Sequence, residues 1–231
     1  MGGRGCAGRT LTRPPPATPA TPAVTLSPDQ AHQVPPVKFS YDTNTLVDPP
    51  PHLPDPDATT AALHAYTTDK PAGAGATPTV NLALRGQADL TPDQVATVTA
   101  LDQALAASRT DQPITVYRGL TDGRFVLPTD WQTRDLTGLT WTDPAFTSTT
   151  VNPDGAEAYV GDTDQRGVAI RLHLPAGTTA IGIGYDHGYN DEGEVLLPRG
   201  LTFRVTHDQG TQGDYGVRWL DVHADHPTPP R

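Results

Sequence analysis

The chain has one cysteine, Cys6, in 231 residues, which excludes an internal disulfide framework and a zinc site built from several cysteines. It has no apolar run that approaches the roughly 18 residues of a membrane-spanning helix, so we do not expect this chain to be an integral membrane protein. Basic side chains are scarce: 16 Lys and Arg stand against 26 Asp and Glu, and the net charge of −10 argues against binding nucleic acid by bulk electrostatics. We expect no metal site either, because His223, Asp225 and His226 lack a fourth ligand.

Glutamate is nearly absent from the acidic residues, since only Glu157, Glu192 and Glu194 stand among the 26. Two of the three flank Gly193, and both carboxylates lie on one face if the segment is extended. Like charges this close can couple their titrations. A solvated loop is the alternative, but the scarcity of glutamate elsewhere favours a functional pair.

Proline separates the N-terminal segment from the rest of the chain. Thirteen of the 25 prolines lie in residues 1–56, and proline fixes φ and donates no backbone hydrogen bond. We therefore expect a disordered tail over 1–56, one folded domain over 57–226 and a short C-terminal tail over 227–231. The arginines of residues 1–13 precede no apolar stretch, so we expect no secretory signal peptide.

Helical patterns cover the first part of the folded region. We predict helices over 58–67 and 80–86, separated by a glycine- and proline-rich break at 70–78. A third helix begins at Thr91, whose side chain forms a capping box with Gln94. Its apolar stripe consists of Val95, Val98, Leu101 and Leu105.

Strand patterns follow from residue 112 onward. Short alternating segments separated by Gly, Pro and Asp predict strands. Helices followed by many short strands predict an α+β fold rather than alternating βαβ units. The predicted strands are 114–117, 168–174, 179–183, 195–197, 201–205 and 217–222.

Two further motifs carry side chains suited to nucleotide chemistry. Arg118 ends a β-rich run and precedes Gly119, so its planar fork can be presented to a phosphate; an ordinary surface arginine is the alternative. In the segment F-T-S-T-T at 146–150, alternation places Ser148 and Thr150 on one face, where both hydroxyls can line a cleft. A β-prone threonine run without a further role is the alternative there.

Taken in order, the motifs V-Y-R-G-L, F-T-S-T-T and E-G-E resemble those of the bacterial mono-ADP-ribosyltransferase exoenzymes, which have an Arg, a Ser-Thr-Ser strand and a Glu-x-Glu pair. The helical segments L-H-A-Y-T and N-L-A-L-R-G are similar to that family too, and the resemblance spans about residues 58–222. It implies an α+β fold in which two packed antiparallel sheets have helices at one side. It also implies that NAD binds as a substrate in the cleft between the sheets, without a metal.

The resemblance assigns roles residue by residue. Arg118, with Gly119 beside it, matches the arginine that holds the NAD phosphates. Ser148 matches the serine that supports the nicotinamide ribose and orients the catalytic glutamate, and Thr150 replaces the final serine of the family's motif. Glu194 matches the catalytic glutamate itself.

Five further positions are assigned in the same way. Glu192 matches the residue that marks arginine as the acceptor, and Tyr189 matches an aromatic of the substrate-recognition loop. Tyr66 and Asn81 match helix residues near NAD, although the insertion between them lengthens their usual separation. Tyr159 matches an aromatic of the loop that follows the hydroxyl-rich strand.

The implied activity is cleavage of the nicotinamide–ribose bond of NAD and transfer of ADP-ribose to an arginine of a target protein. The resemblance implies a secreted or delivered bacterial toxin or effector. From the charge and the lack of long apolar runs we expect neither nucleic acid nor membrane as partner. Two alternatives stay open. One is hydrolysis of NAD or transfer to a different acceptor, and the other is a non-catalytic structural or binding module of the same fold.

Overall fold

The computed structural model describes residues 55–69, 78–110, 112–160, 167–183, 193–212 and 217–225. The tails predicted at 1–56 and 227–231 lie outside these residues, apart from Asp55 and Pro56. Tyr189 and Glu192 also lie outside them.

Three helices form the N-terminal part of the described chain: α1 (Pro56–Thr68), α2 (Thr79–Leu84) and α3 (Pro92–Ala106). The three predicted helices are thereby confirmed. So is the capping box, in which Thr91 Oγ1 accepts a hydrogen bond from the Gln94 backbone at 3.2 Å and Gln94 Oε1 accepts one from the Thr91 backbone at 3.0 Å. This reciprocal pair satisfies two backbone N–H groups that a helix start leaves without partners.

The buried stripe of α3 begins one turn later than the sequence predicts. Val95 is 48 % exposed, so its assignment to the core was wrong, and Ala104 takes a buried position instead. The first turn of the helix therefore adds nothing to the core. The stripe packs in the smaller of two main hydrophobic cores, which contains Leu63, Tyr66, Val80, Val98, Leu101, Leu105, Phe146, Ile181 and Leu196.

The strands, with one more helix, make up the rest. They are β1 (Ile114–Leu120), β2 (Thr140–Asp143), β3 (Thr147–Thr150), α4 (Pro153–Val160), β4 (Val168–Leu174), β5 (Ile181–Gly182), β6 (Glu194–Leu197), β7 (Leu201–Gln212) and β8 (Val217–Asp225). β2 is not predicted from the sequence, and the prediction of a loop over the α4 segment is wrong. In α4 only Ala156 and Val160 are buried among the residues described, which is too short an apolar pattern to reveal a helix.

The strands are hydrogen-bonded in the order β2-β7-β8-β4-β1-β3-β6-β5. The fold is α+β, as predicted, and the pairing of β4 with β8 is parallel whereas the other pairs are antiparallel. β1 and β3 share one paired position, Tyr117 with Thr150, so the sheet divides there into a five-stranded half and a three-stranded half. Val195 and Leu197 of β6 pack in the larger core with the five-stranded half, whereas Leu196 lies in the core beside the helices.

Candidate active site

Three adjacent strands carry the predicted catalytic side chains: Arg118 on β1, Ser148 on β3 and Glu194 on β6. Arg118 follows the one position at which β1 and β3 pair, and its Nη1 donates a hydrogen bond of 3.4 Å to the Ser148 carbonyl. On the other side of β3, Thr150 pairs with Glu194. Residues from three distant motifs thus meet where the two halves of the sheet separate.

A buried network joins the helices to this point. Tyr66 Oη lies 2.9 Å from Ser148 Oγ, and Asn81 Nδ2 donates to Tyr66 Oη at 2.9 Å. Asn81 also pairs with the Phe146 backbone, donating to its carbonyl at 3.1 Å and accepting from its N–H at 3.2 Å. Tyr66 and Asn81 are 1 % and 2 % exposed. The structure therefore brings both predicted helix residues to the hydroxyl-rich strand.

The insertion between α1 and α2 does not separate these two residues in space. The Thr79 N–H donates to the Asp69 carbonyl at 2.9 Å, and the Thr79 hydroxyl also donates to the Asp69 carboxylate. These bonds hold the two ends of the insertion together, so its length does not change where Tyr66 and Asn81 lie.

The ionisable groups of the site lie close enough to affect one another's pKa values. Burial, with a smaller contribution from the nearby Glu194 carboxylate, raises the pKa of Tyr66 to about 12, whereas the hydrogen bond with Ser148 opposes the rise. Burial lowers the pKa of Arg118 and the neighbouring Arg85 adds to this, whereas Asp143 and Glu194 favour its charged form. The charges of Arg118 and Glu194 therefore act on the same site.

Arg85 brings a second guanidinium to this site, and the sequence alone did not predict it as a site residue. Arg85 binds Asp143 in a fork, with Nε at 3.1 Å from Oδ1 and Nη2 at 2.7 Å from Oδ2. Asp143 is 6 % exposed, and its Oδ1 also accepts from the Ala145 N–H at 3.0 Å. The pair links residues 58 positions apart, and Asp143 lies on the strand that was not predicted. No spacing in the sequence could have revealed it.

Gly119 allows α4 to lie directly on β1 beside Arg118. A Cβ atom at this position would stand 2.2 Å from the Ala156 carbonyl oxygen and 2.8 Å from Tyr159 Cβ. Both distances are shorter than non-bonded atoms allow, so any larger residue would clash. Tyr159 is thus part of a helix rather than of a loop, and its side chain is 38 % exposed. Its predicted contact with NAD remains a prediction.

Gly193 fixes the approach to β6 just before Glu194. Its φ of 54° favours glycine, and a Cβ there would lie 2.7 Å from Val151 Cγ2. The Gly193 carbonyl accepts from the Val151 N–H at 3.0 Å. Glu194 is thereby held at the start of its strand, while Glu192, on the other side of the glycine, lies outside the described residues.

Within the described ranges, no three His, Cys, Asp or Glu side chains are grouped so that they could hold a metal ion. The helices of the same ranges are all too short or too polar to cross a bilayer.

The chain is similar to a family of known proteins. The family model of the ADP-ribosyltransferase exoenzymes matches residues 57–217. The NAD(+)–protein-arginine ADP-ribosyltransferase Tre1 of Pseudomonas putida is 34 % identical over 144 residues, which cover 62 % of this chain and 25 % of that protein. The chain thus spans about a quarter of the length of this curated relative.

Solved structures of similar fold include bacterial exoenzymes. The structure of C3stau2 from S. aureus with NAD superimposes with a TM-score of 0.57 at 18 % identity, covering 74 % of this chain and 87 % of that one. The Clostridium limosum C3 exoenzyme gives 0.55 at 20 % identity, covering 74 % and 86 %. At these identities the comparison establishes the shared fold.

Proposed function

This chain belongs to the ADP-ribosyltransferase exoenzyme family, and we propose that it cleaves the bond between nicotinamide and ribose in NAD and transfers ADP-ribose to an arginine of a target protein. The observation that carries this proposal is the meeting of Arg118, Ser148 and Glu194 on three adjacent strands. The name of the P. putida relative supports arginine as the acceptor. The exoenzyme family supports a secreted or delivered effector as the setting.

Arg118 is the group that would bind the diphosphate of NAD. A guanidinium has five N–H donors in a planar fork. Among the described residues Arg118 donates one hydrogen bond, the 3.4 Å contact with the Ser148 carbonyl. Most of its donors are therefore left for an anion, and its partial burial strengthens a charge-assisted bond to phosphate oxygens.

Glu194 would stabilise the charge that develops as the bond breaks. When the nicotinamide leaves with the bonding electron pair, the ribose becomes oxocarbenium-like and positively charged. A carboxylate beside it, acting through a ribose hydroxyl, interacts more strongly with this transition state than with neutral ribose, which is the condition for catalysis. Ser148, held by Tyr66, would orient the Glu194 side chain and support the ribose.

Glu192 would act on the acceptor. A guanidinium nitrogen of the target arginine attacks the anomeric carbon that nicotinamide has left, and one proton is released from that nitrogen. The Glu192 carboxylate, two positions before Glu194 in the sequence, is suited to accept this proton. The products are nicotinamide, ADP-ribosyl-arginine and a proton. With water as the acceptor they are nicotinamide, ADP-ribose and a proton.

Mass spectrometry of a cell lysate treated with NAD and the full chain tests the proposal. We expect ADP-ribosylated arginine peptides with the wild type and none with Glu194→Gln. Modification confined to other residues or to nucleic-acid bases would contradict the arginine assignment.

The acceptor role of Glu192 has its own test. Glu192→Ala should abolish transfer to arginine while NAD hydrolysis by the same variant continues. Equal loss of both activities would assign Glu192 to bond cleavage instead.

A further inference from the structure

Thr147 lies beside Ser148 on β3 but on the opposite face. Thr147 is 2 % exposed, and its Oγ1 has no hydrogen-bond partner among the described residues. The next two hydroxyls of the strand are satisfied, because Ser148 Oγ meets Tyr66 Oη and Thr149 Oγ1 donates to the Val195 carbonyl at 2.7 Å. Buried hydroxyls are normally bonded to protein or to an ordered water, so Thr147 requires an explanation.

Thr147 lines a small pocket together with Arg118. The pocket leaves about 20 Å³ for the centre of a water-sized molecule, more than the roughly 10–15 Å³ that one water needs. Besides Thr147, Arg118 and Asp143, its lining consists of the apolar side chains Leu120, Val126, Trp141, Ile170, Leu172 and Phe203.

The polar groups of the pocket suit one water. The Thr147 hydroxyl can donate or accept, Arg118 has donors beyond its 3.4 Å hydrogen bond to the Ser148 carbonyl, and the Asp143 carboxylate can accept. Asp143 already binds Arg85 and the Ala145 N–H, but two carboxylate oxygens provide about four acceptor sites. A buried water usually makes about three hydrogen bonds, and these groups can supply that number.

We propose that one ordered water occupies this pocket, hydrogen-bonded to Thr147 Oγ1, and that Thr147 positions the Arg118 guanidinium through it. Among the described residues Arg118 makes one direct hydrogen bond, so a water held in the pocket would restrict the rotamers of its long side chain and direct the remaining donors toward the substrate. Thr147 is then a positioning residue for NAD binding. The consequence for NAD rests on the proposed function, whereas the water does not.

The first test compares Thr147→Val, which keeps the shape and removes the hydroxyl, with Thr147→Ser, which keeps the hydroxyl. We expect the valine variant to raise the KM for NAD about tenfold, the factor that one lost hydrogen bond of ordinary strength produces, with kcat changed less than twofold. The serine variant should stay within about twofold of the wild type. In an Arg118→Lys background, Thr147→Val should have no further effect on KM, because the group that it positions is gone.

Two results would overturn the positioning role: an unchanged KM in Thr147→Val, or an equal rise in the valine and serine variants. Thermal unfolding adds an independent criterion. If the hydroxyl were buried without any partner, its replacement by valine would raise the melting temperature; with a water present the melting temperature should fall or stay the same.

A crystal structure of the full chain at high resolution tests the water without reference to activity. We expect density for a water within about 3.2 Å of Thr147 Oγ1. A dry pocket, or a protein group bonded to that hydroxyl, would overturn the proposal even if the enzyme is active. Conversely, an ordered water in a protein that does not bind NAD would contradict the proposed function and the role in NAD binding, and would leave the water established.

Discussion

Tyr66 Oη lies 2.9 Å from Ser148 Oγ, although the two residues stand 82 positions apart. The contact joins α1 to β3 at the point where Arg118 and Glu194 approach each other. Asn81 completes it by donating to the same tyrosine oxygen. The helical part of the chain is therefore connected to the site by hydrogen bonds as well as by apolar packing, and it fixes the hydroxyl that the proposed mechanism uses.

Replacing Tyr66 with phenylalanine should destabilise the protein and lower its activity. The change removes the partner of Ser148 Oγ and one of the two partners of Asn81 Nδ2, and an unsatisfied buried group costs about 1–3 kcal/mol. The control is Tyr117→Phe, on the face of β1 where its ring packs against Trp219 at 6.2 Å, for which about 0.5 kcal/mol or less is expected. Chemical denaturation of the three proteins measures both values, and equal stabilities would contradict this role of Tyr66.

Tyr66 also makes the free energy of unfolding depend on pH in the alkaline range. Its pKa is raised to about 12 in the folded protein from an ordinary value near 10. A raised pKa means that the stabilising contribution is complete below pH 10 and is lost as the pH rises from 10 toward 12. The difference in unfolding free energy between wild type and Tyr66→Phe should therefore shrink above pH 10. Ionisation of Tyr66 near pH 10 in the ultraviolet difference spectrum of the folded protein would be the opposite result.

Gly119→Ala should displace α4 from β1. The new methyl group would lie 2.2 Å from the Ala156 carbonyl, a backbone atom that cannot yield without moving the helix. We expect a loss of roughly 1–3 kcal/mol and weaker NAD binding, because Arg118 is the adjacent residue. Gly155→Ala is the matched control, since its methyl group would come no closer than 3.7 Å to any atom beyond its chain neighbours and the backbone of its own helix. As alanine favours a helix over glycine, that variant should be as stable as the wild type or more stable. Equal behaviour of the two variants would contradict the close contact at Gly119.

The buried pair of Asp208 and Arg218 should govern stability in acid. Burial raises the pKa of Asp208, but the hydrogen bonds from Arg218 and from the Leu136 and Gly210 backbone outweigh this and lower it. A lowered carboxylate pKa gives stability that is present above about pH 4 and is lost as the pH falls below it. At neutral pH, Asp208→Asn should cost about 3–5 kcal/mol, because the Arg218 guanidinium would remain buried without its counter-charge.

The control for that variant is an exposed pair in the same sheet. Arg204 Nη2 lies 2.8 Å from Asp225 Oδ2, and the two side chains are 55 % and 41 % exposed. Asp225→Asn should therefore lower the free energy of unfolding by less than about 1 kcal/mol. Denaturation curves at pH 7 and pH 3 compare the two pairs. A small cost for Asp208→Asn at pH 7 would show that its hydrogen bonds are replaceable by water.

Local signals account for the elements that the sequence predicted well. The capping box at Thr91 and the alternation of β4 are encoded within a few residues, so they are visible in the chain. The three motifs were visible because each combines an unusual residue type with a strand or a glycine. Distant contacts determine the features that were not predicted: β2 pairs with β7, and α4 lies on the bare backbone at Gly119. Val95 is 48 % exposed and belongs to none of the hydrophobic cores of the described residues. Thr147 could not be distinguished from the other threonines of its strand until its surroundings were known.

Release of nicotinamide from NAD by the purified full chain, with and without an arginine analogue, tests the central claim most directly. Glu194→Gln is compared with Glu157→Gln, which changes an exposed glutamate of α4 in the same way. We expect Glu194→Gln to lower the rate by about 10²–10³ or more with its melting temperature preserved, and Glu157→Gln to match the wild type. A Glu194→Gln variant as fast as the wild type, or a wild type that releases no nicotinamide at high protein concentration, would contradict the account.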